Sequence, residues 1–90
     1  MEIQLTYLAK IKKAMNKAGE KIEVMEGCDI LTLLHQYLCS SNNLLKDIIF
    51  KDNAVKSSIL IYLNNVQVGD LHITLKHNDE ILIMTPIAGG

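Results

Sequence analysis

The chain ends on Gly89 and Gly90, two residues whose type and position could support chemistry. Glycine has no Cβ, so a glycine pair can thread a narrow channel and adopt backbone conformations closed to other residues. Directly after a β-strand, the pair would carry the C-terminal carboxylate away from the domain, toward the active site of another protein. A carboxylate is unreactive until it is activated, for example as an acyl-adenylate. The alternative is a frayed terminus without a role.

The cysteines and histidines are the other candidates for chemistry. His35 and Cys39 lie four residues apart on a predicted helix, a spacing that can hold two zinc ligands. His72 and His77 could add ligands, but no second pair has matching spacing, so we expect no metal site. Cys28 precedes a predicted helix, which could lower the pKa of its thiol. A catalytic cysteine also needs a base and a pocket, so we expect Cys28 to pack near the start of the helix.

Composition indicates one small globular domain with 49% hydrophobic and 21% charged residues in 90. The longest apolar run, Ile59 to Leu63, is far shorter than the roughly 20 residues needed to cross a bilayer. No signal peptide is visible, and the two cysteines suit a reducing compartment. We therefore expect a cytoplasmic protein with no membrane association.

All nine basic residues are lysines, and the formal net charge is −1. One segment is rich in lysine and could steer an acidic partner, although a solvated face is the default expectation. The lysines of this segment are Lys10, Lys12, Lys13, Lys17 and Lys21. It contains no aromatic residue on which a base could stack, and the chain has no arginine, so we expect no nucleic-acid partner.

Hydrophobic periodicity predicts the elements that position the tail. Ile3, Leu5 and Tyr7 alternate with polar residues, which predicts a strand, and Ile22 and Val24 predict a second one. Later strands are predicted at 59–63, 66–68 and 81–85. A helix is predicted at about 30–40 with Asp29 as its N-cap, a short helix or irregular turn at 10–18, closed by Gly19, and another short helical segment at 44–50.

This order predicts an α+β fold of the ubiquitin-like β-grasp type. We expect a mixed four- to five-stranded sheet with one main helix on one face, a domain at 1–85 and a tail at 86–90. In the third and last strands, the side chains on both faces are apolar, so the side chains on one face should be exposed to solvent or to a partner. We assign Ile61, Leu63, Ile81 and Ile83 to the core. The exposed apolar patch then consists of Leu60, Tyr62, Leu82 and Met84. The alternative is a sheet fully covered in a homodimer.

Several segments resemble the small, sulfur-carrying subunit of molybdopterin synthase. HNDEILIMTPIAGG is similar to the end of that family, where a turn and an apolar strand lead into a PPVAGG-type tail. LAKIKKAMNKAG, EGCDILTLL and LNN-VQV resemble its first-strand exit, helix start and hairpin. Thr85 stands in place of a proline, and Asn65 and Asn78 in place of turn glycines, positions where asparagine tolerates positive φ.

The resemblance implies a sulfur carrier that is not itself an enzyme. An E1-like enzyme would adenylate the carboxylate of Gly90 with ATP, and sulfur from a sulfurtransferase would replace the AMP to give a thiocarboxylate. Gly89 would keep the approach narrow, and Pro86, Ile87 and Ala88 would lie along the partner's groove. The apolar patch would dock on the activating enzyme and on the large catalytic subunit of molybdopterin synthase, with no cofactor bound to the carrier itself.

The wider β-grasp family leaves other functions open. The same tail could serve a ubiquitin-like modifier conjugated to lysines, or a sulfur donor for tRNA thiolation. A third possibility, from a different class, is a non-catalytic β-grasp interaction domain whose terminal glycines are incidental. The sulfur donor, the acceptor and the oligomeric state without a partner are not fixed by the sequence.

Overall fold

A computed structural model describes residues 1–86, and residues 87–90 lie outside the described part of the chain. Within residues 1–86, seven strands and three helical segments follow one another. In chain order they are β1 (Glu2–Tyr7), α1 (Ala9–Met15), β2 (Gly19–Glu23), α2 (Ile30–Thr32) continued by a π-helix (Leu33–Leu38), α3 (Asn43–Ile49), β3 (Phe50–Lys51), β4 (Ala54–Val55), β5 (Leu60–Leu63), β6 (Val66–Gln67) and β7 (Glu80–Met84).

Five strands form one mixed sheet in the order β2-β1-β7-β5-β6, and β3 and β4 form a separate hairpin. The two central strands, β1 and β7, run parallel, and all other pairs are antiparallel. This is the ubiquitin-like β-grasp arrangement that the sequence predicts. Since β1 and β7 are parallel, both end at the same edge of the sheet, where α1 begins and the C-terminal tail departs.

Strand β1 shows how the sequence directs the sheet. Its burial alternates strictly, with Ile3, Leu5 and Tyr7 fully buried and the intervening residues partly exposed. The Tyr7 hydroxyl donates a hydrogen bond to Glu20 Oε2 at 2.7 Å, and Lys17 Nζ donates to the other oxygen of that carboxylate at 3.2 Å. Burial is the main reason that the pKa of Tyr7 is raised, and the hydrogen bond to Glu20 adds to it. The network ties β1 to β2 at the edge of the sheet.

The helical layer contains the main helix and the two shorter helical segments that the sequence predicts, and it differs from the prediction in the hydrogen bonding of the main helix. The segment from 30 to 38 begins as α-helix and continues as π-helix, where the Cys39 amide donates to the Leu34 carbonyl at 2.9 Å. The predicted N-cap is confirmed, because Asp29 Oδ1 accepts from the Thr32 amide at 2.7 Å. Two further helices, α1 and α3, pack against each other over the same sheet face.

The turns depend on asparagines at positive φ. Asn65 and Asn78 have φ values of 70° and 71°, so asparagine takes the conformation that a glycine would favour in these turns. Asn16, at φ 58°, ends α1, so the prediction that Gly19 closes this helix was wrong. Gly19 instead lies in β2, where a Cβ would collide with the carbonyl oxygen of Leu5.

The core lies between the sheet and the helices. Ile61, Ile81 and Ile83 are almost fully buried, as predicted, whereas Leu63 is only half-buried at the end of its strand and Ile59 takes a core position. None of the helices in residues 1–86 is long and apolar enough to cross a membrane.

Candidate functional site

The predicted apolar patch forms a contiguous block on the sheet face that the helices do not cover. In the β5–β7 register, Leu60 lies opposite Met84 and Tyr62 lies opposite Leu82. Cβ atoms of directly opposite residues are about 4.5–5.5 Å apart, so the four side chains adjoin. All four are partly exposed, and none packs against the buried core cluster. The structure thus brings together the residues that the alternation of the two strands predicted to share a face.

Leu8 extends this patch, although sequence analysis did not assign it. Its backbone is extended, with φ −128° and ψ 158°, so it continues the alternation of β1 and faces the same side as Gln4 and Thr6. Its amide donates to the Ile83 carbonyl at 3.1 Å, which places Leu8 beside Met84 in the parallel ladder. Its side chain is 39% exposed. We call the five residues Leu8, Leu60, Tyr62, Leu82 and Met84 the docking patch.

Polar residues border the docking patch on the β1 side. Thr6 lies beside Leu82 and Gln4 beside Glu80 in the β1–β7 register, and Lys21 lies opposite Gln4 on β2. The apolar surface is therefore confined to β5, β7 and the end of β1. It reaches the edge of the sheet from which the tail departs.

The root of the tail is fixed at that edge. Thr85 follows β7 directly and is 8% exposed, and its Oγ1 accepts a long hydrogen bond from the Lys10 amide at 3.4 Å. Pro86 is exposed. A groove of about 350 Å³ opens beside it, lined by Lys10, Asp47, Ile48, Lys56, Ser58, Thr85 and Pro86. The threonine in place of the family's proline thus gives the tail root a polar contact to the start of α1.

The predicted covalent site lies beyond the described residues. Ile87, Ala88, Gly89 and Gly90 fall outside the described range, so their contacts are not part of the site's geometry.

Lysines surround the tail root. Lys10 and Lys56 line the groove beside Pro86, and Lys56 Nζ donates to the Asp47 carbonyl oxygen at 2.6 Å. Lys12 and Lys13 follow on α1 and are exposed. The exposed Asp47 also lines the groove, so these four lysines stand against one groove-lining carboxylate and the edge that bears the tail is cationic on balance.

The two cysteines are buried thiols without the features of a reactive site. Burial raises the pKa of Cys39 to about 11, against the opposing effect of Lys46. Burial, followed by the charge of Asp29, raises the pKa of Cys28. Both are therefore protonated near neutral pH, and the thiolate is the nucleophilic form.

Each of the three histidines contacts a neighbouring group of the protein. His35 stacks on Phe50 with ring centroids 4.1 Å apart, and His77 Nδ1 accepts from the Glu2 amide at 2.9 Å. His72 Nδ1 lies 3.7 Å from Asp29 Oδ2. Within residues 1–86, no three histidine, cysteine, aspartate or glutamate side chains are grouped closely enough to hold a metal ion.

Comparison with solved structures places the fold among small carrier and modifier proteins. SAMP1 from Haloferax volcanii superposes with a TM-score of 0.88 at 16% identity, with 100% of both chains covered. Molybdopterin converting factor subunit 1 from Pyrococcus furiosus gives a TM-score of 0.78 at 20% identity, over 97% of this chain and 99% of that one. A chain in the complex of subunits 1 and 2 of the molybdopterin-converting factor from Helicobacter pylori gives 0.66 at 21% identity, with 100% of both chains covered.

Identities this low establish a shared fold and no more, and no curated protein sequence matches the chain significantly. The family is established by sequence. The model of the ThiS family matches residues 5–90, which includes the second half of β1, the other four strands of the main sheet and the whole C-terminal tail. With the predicted β-grasp fold and the glycine pair that ends the matched region, this chain belongs to the ThiS family of ubiquitin-like sulfur carriers.

Proposed function

We propose that this protein carries sulfur on its C-terminus for molybdopterin (molybdenum or tungsten cofactor) biosynthesis. The observation that carries the proposal is the family match, which runs through Gly90 on a domain whose tail root is fixed beside an exposed apolar patch. The protein would act as a co-substrate, or as the small non-catalytic subunit of a sulfurtransferase such as molybdopterin synthase. It would bind no cofactor of its own.

The proposed chemistry proceeds in two stages at Gly90. First, a carboxylate oxygen attacks the α-phosphorus of ATP in an E1-like enzyme, pyrophosphate leaves, and an acyl-adenylate forms. Next, the terminal sulfur of a persulfide on a sulfurtransferase attacks the acyl carbon and AMP leaves. A thiol then reduces the resulting acyl disulfide, which leaves the thiocarboxylate. The chain itself contributes the carboxylate and the means of presenting it.

Presentation depends on two parts of the molecule. Gly89 has no Cβ, so the approach to the reactive carbonyl stays narrow, while Pro86, Ile87 and Ala88 lie along the partner's groove. The docking patch covers the partner's surface outside that groove. Because the last four residues span at most about 14 Å, the partner's reactive centre must lie close to the surface on which the patch docks.

Reconstitution tests this assignment. Wild-type protein and a Gly90 deletion are each combined with the activating enzyme, a sulfurtransferase, ATP, the large subunit of molybdopterin synthase and its pterin precursor, and molybdopterin is measured. We expect product with the wild type and none with the deletion, while both proteins unfold at the same urea concentration. An activated wild-type protein that yields no molybdopterin would show that the pathway assignment is wrong.

A ubiquitin-like modifier is the second candidate, because solved structures of small archaeal modifier proteins share this fold and the fold alone does not separate carriers from modifiers. On this hypothesis the same adenylate leads to an amide bond with a lysine. Peptides branched at lysine and bearing the Gly90 terminus, found after incubation with a cell extract and ATP, would support the modifier. A tRNA-thiolation donor would instead transfer sulfur to tRNA in a parallel assay.

The hypothesis of an interaction domain without tail chemistry makes the opposite prediction to the sulfur-carrier and modifier hypotheses. Deleting Gly89 and Gly90 would then leave function intact, whereas a charge at Tyr62 or Met84 would abolish it. Sulfur carrier and modifier alike require the two glycines. Comparing the two kinds of variant in one assay therefore separates this hypothesis from the others.

A further inference from the structure

Charge is distributed unevenly between the two ends of the domain. The end that bears the tail carries four lysines, on α1 and beside the groove at Pro86. They are Lys10, Lys12, Lys13 and Lys56, and we call them the lysine collar. The opposite end, where β1 and β7 begin and β2 finishes, carries five carboxylates. They are Glu2, Glu23, Glu26, Asp79 and Glu80, and they outnumber the two cations at that end, Lys76 and the N-terminal ammonium that lies 3.4 Å from Glu23 Oε2. The net charge of −1 therefore conceals a charge separation along the central strands.

The collar is largely uncompensated within residues 1–86. Lys10, Lys12 and Lys13 form no ion pair with any carboxylate of the described residues, whereas Lys17, next along the chain, pairs with Glu20 at 3.2 Å. Lys56 donates to the backbone carbonyl oxygen of Asp47, and the Asp47 carboxylate lines the same groove without forming an ion pair with any lysine of the described residues. Three exposed ammonium groups on one short helix thus repel one another, and an opposing negative surface would relieve that repulsion.

The collar also adjoins the docking patch. Leu8 immediately precedes the segment that holds Lys10, and Met84 immediately precedes Thr85, which accepts a hydrogen bond from the Lys10 amide. Any partner that covers the patch and receives the tail must therefore approach the collar as well. This continuity favours a protein over a nucleic acid, since a partner must offer an apolar surface to one part and negative charge to the other.

We propose that the lysine collar recognises an acidic surface, rich in aspartate and glutamate, around the tail-binding channel of the activating enzyme. The proposal rests on the proposed function and adds the chemistry of the partner's surface. An acidic surface attracts the cationic end of this protein and repels the anionic end. It therefore orients the protein with the end that bears the tail facing the acidic surface. Electrostatic steering of this kind raises association rates by about 10- to 1000-fold at low salt.

Two triple variants test the proposal. One reverses the charge of the α1 collar lysines, Lys10→Glu with Lys12→Glu and Lys13→Glu. The control changes three exposed lysines outside both the collar and the docking patch and alters net charge equally, Lys46→Glu with Lys51→Glu and Lys76→Glu. Carrier-dependent ATP–pyrophosphate exchange by the activating enzyme is measured at about 20 mM and about 300 mM salt, where charges are screened over very different distances.

At low salt we expect the collar variant to lose at least about tenfold in kcat/KM, with kcat at saturation unchanged and the control within about twofold of wild type. The difference should shrink at high salt, and replacing the same three lysines by glutamine should give an intermediate loss. An equal loss in collar and control variants, no loss in either, or a loss that persists undiminished at high salt would overturn the proposal. Exchange absent even with wild type, from an enzyme competent on another carrier, would instead overturn the proposed function and the collar with it.

Discussion

Leu82 lies in the docking patch on the central strand of the sheet, and replacing it by aspartate should weaken partner binding. In the sheet it lies between Thr6 on β1 and Tyr62 on β5, and it is half-buried in the free protein. Fully burying a leucine side chain contributes about 1.5–3 kcal/mol, and most of the Leu82 side chain is already buried in the free protein, so covering the rest contributes less than about 1 kcal/mol. An aspartate pressed against an apolar partner without a hydrogen bond loses about a further 1–3 kcal/mol.

The expected loss of binding free energy is therefore about 1–4 kcal/mol, which corresponds to a roughly fivefold to 1000-fold higher Kd. Leu82→Thr, which removes apolar area without adding charge, should lose less than about 1 kcal/mol, or less than about fivefold. Isothermal titration of each variant with the activating enzyme measures these differences. Urea denaturation alongside checks that aspartate in a strand lowers stability by no more than about 1 kcal/mol.

Val66→Asp provides the matched control, because Val66 is an apolar strand residue that is 64% exposed and lies outside the docking patch. We expect this variant to bind within about twofold of the wild type, as surface substitutions usually do. The reasoning is refuted if a folded Leu82→Asp variant binds as tightly as the Val66→Asp variant. It would then follow that the partner does not cover the centre of the sheet face.

Three further predictions concern the domain itself. Asp29→Ala should destabilise it by about 1 kcal/mol near neutral pH through loss of the N-cap. Hydrogen bonding from Thr32 lowers the pKa of Asp29, so this stabilisation is present above the unfolded-state pKa and is lost as pH falls through the folded-state pKa. The free energies of unfolding of the two proteins, measured by urea titration, should therefore converge as the solution becomes acidic. A difference that persists in strong acid would contradict the N-cap assignment. Tyr7→Phe should lower the free energy of unfolding by about 1–2 kcal/mol, because the buried hydroxyl donates a hydrogen bond to the carboxylate of Glu20. Urea denaturation measures the difference, and an unchanged midpoint would show that this hydrogen bond contributes nothing to stability. The Cys39 thiol is buried and has a pKa of about 11, so at mildly alkaline pH it should react with iodoacetamide only when urea unfolds the protein. Mass spectrometry measures the labelling, and fast labelling of Cys39 in the folded protein would contradict its burial.

Local signals in the sequence were sufficient for much of the fold and for part of the site. Strict alternation at Ile3, Leu5 and Tyr7 made β1 visible, because a half-buried strand exposes every second side chain. The apolar patch could be predicted because both faces of two strands carry apolar side chains. Helices that cover one face of a sheet leave the apolar side chains of the other face exposed. The cap at Asp29 depends on neighbours three residues away, which the sequence displays directly.

Features that arise from non-local pairing or from small changes in hydrogen bonding were missed. Leu8 joins the docking patch through its parallel ladder with β7, whose register no local pattern reveals. The π-helix from Leu33 to Leu38 keeps nearly the same apolar spacing as an α-helix over six residues, so periodicity does not distinguish them. Lys56 belongs to the lysine collar because the tail root and α1 meet beside it, although it is far from the other collar lysines in sequence.

The central claim is that Gly90 carries sulfur, and the intact mass of the protein tests it most directly. The protein is incubated with the activating enzyme, a sulfurtransferase, a thiol reductant and ATP, and its mass is compared with that of the Gly90 deletion treated identically. The account predicts a gain equal to the exchange of one oxygen for one sulfur, localised to the C-terminal peptide and absent from the deletion. Addition of a whole sulfur atom at Cys28 or Cys39, or an unchanged mass from an enzyme that activates another carrier, would contradict it.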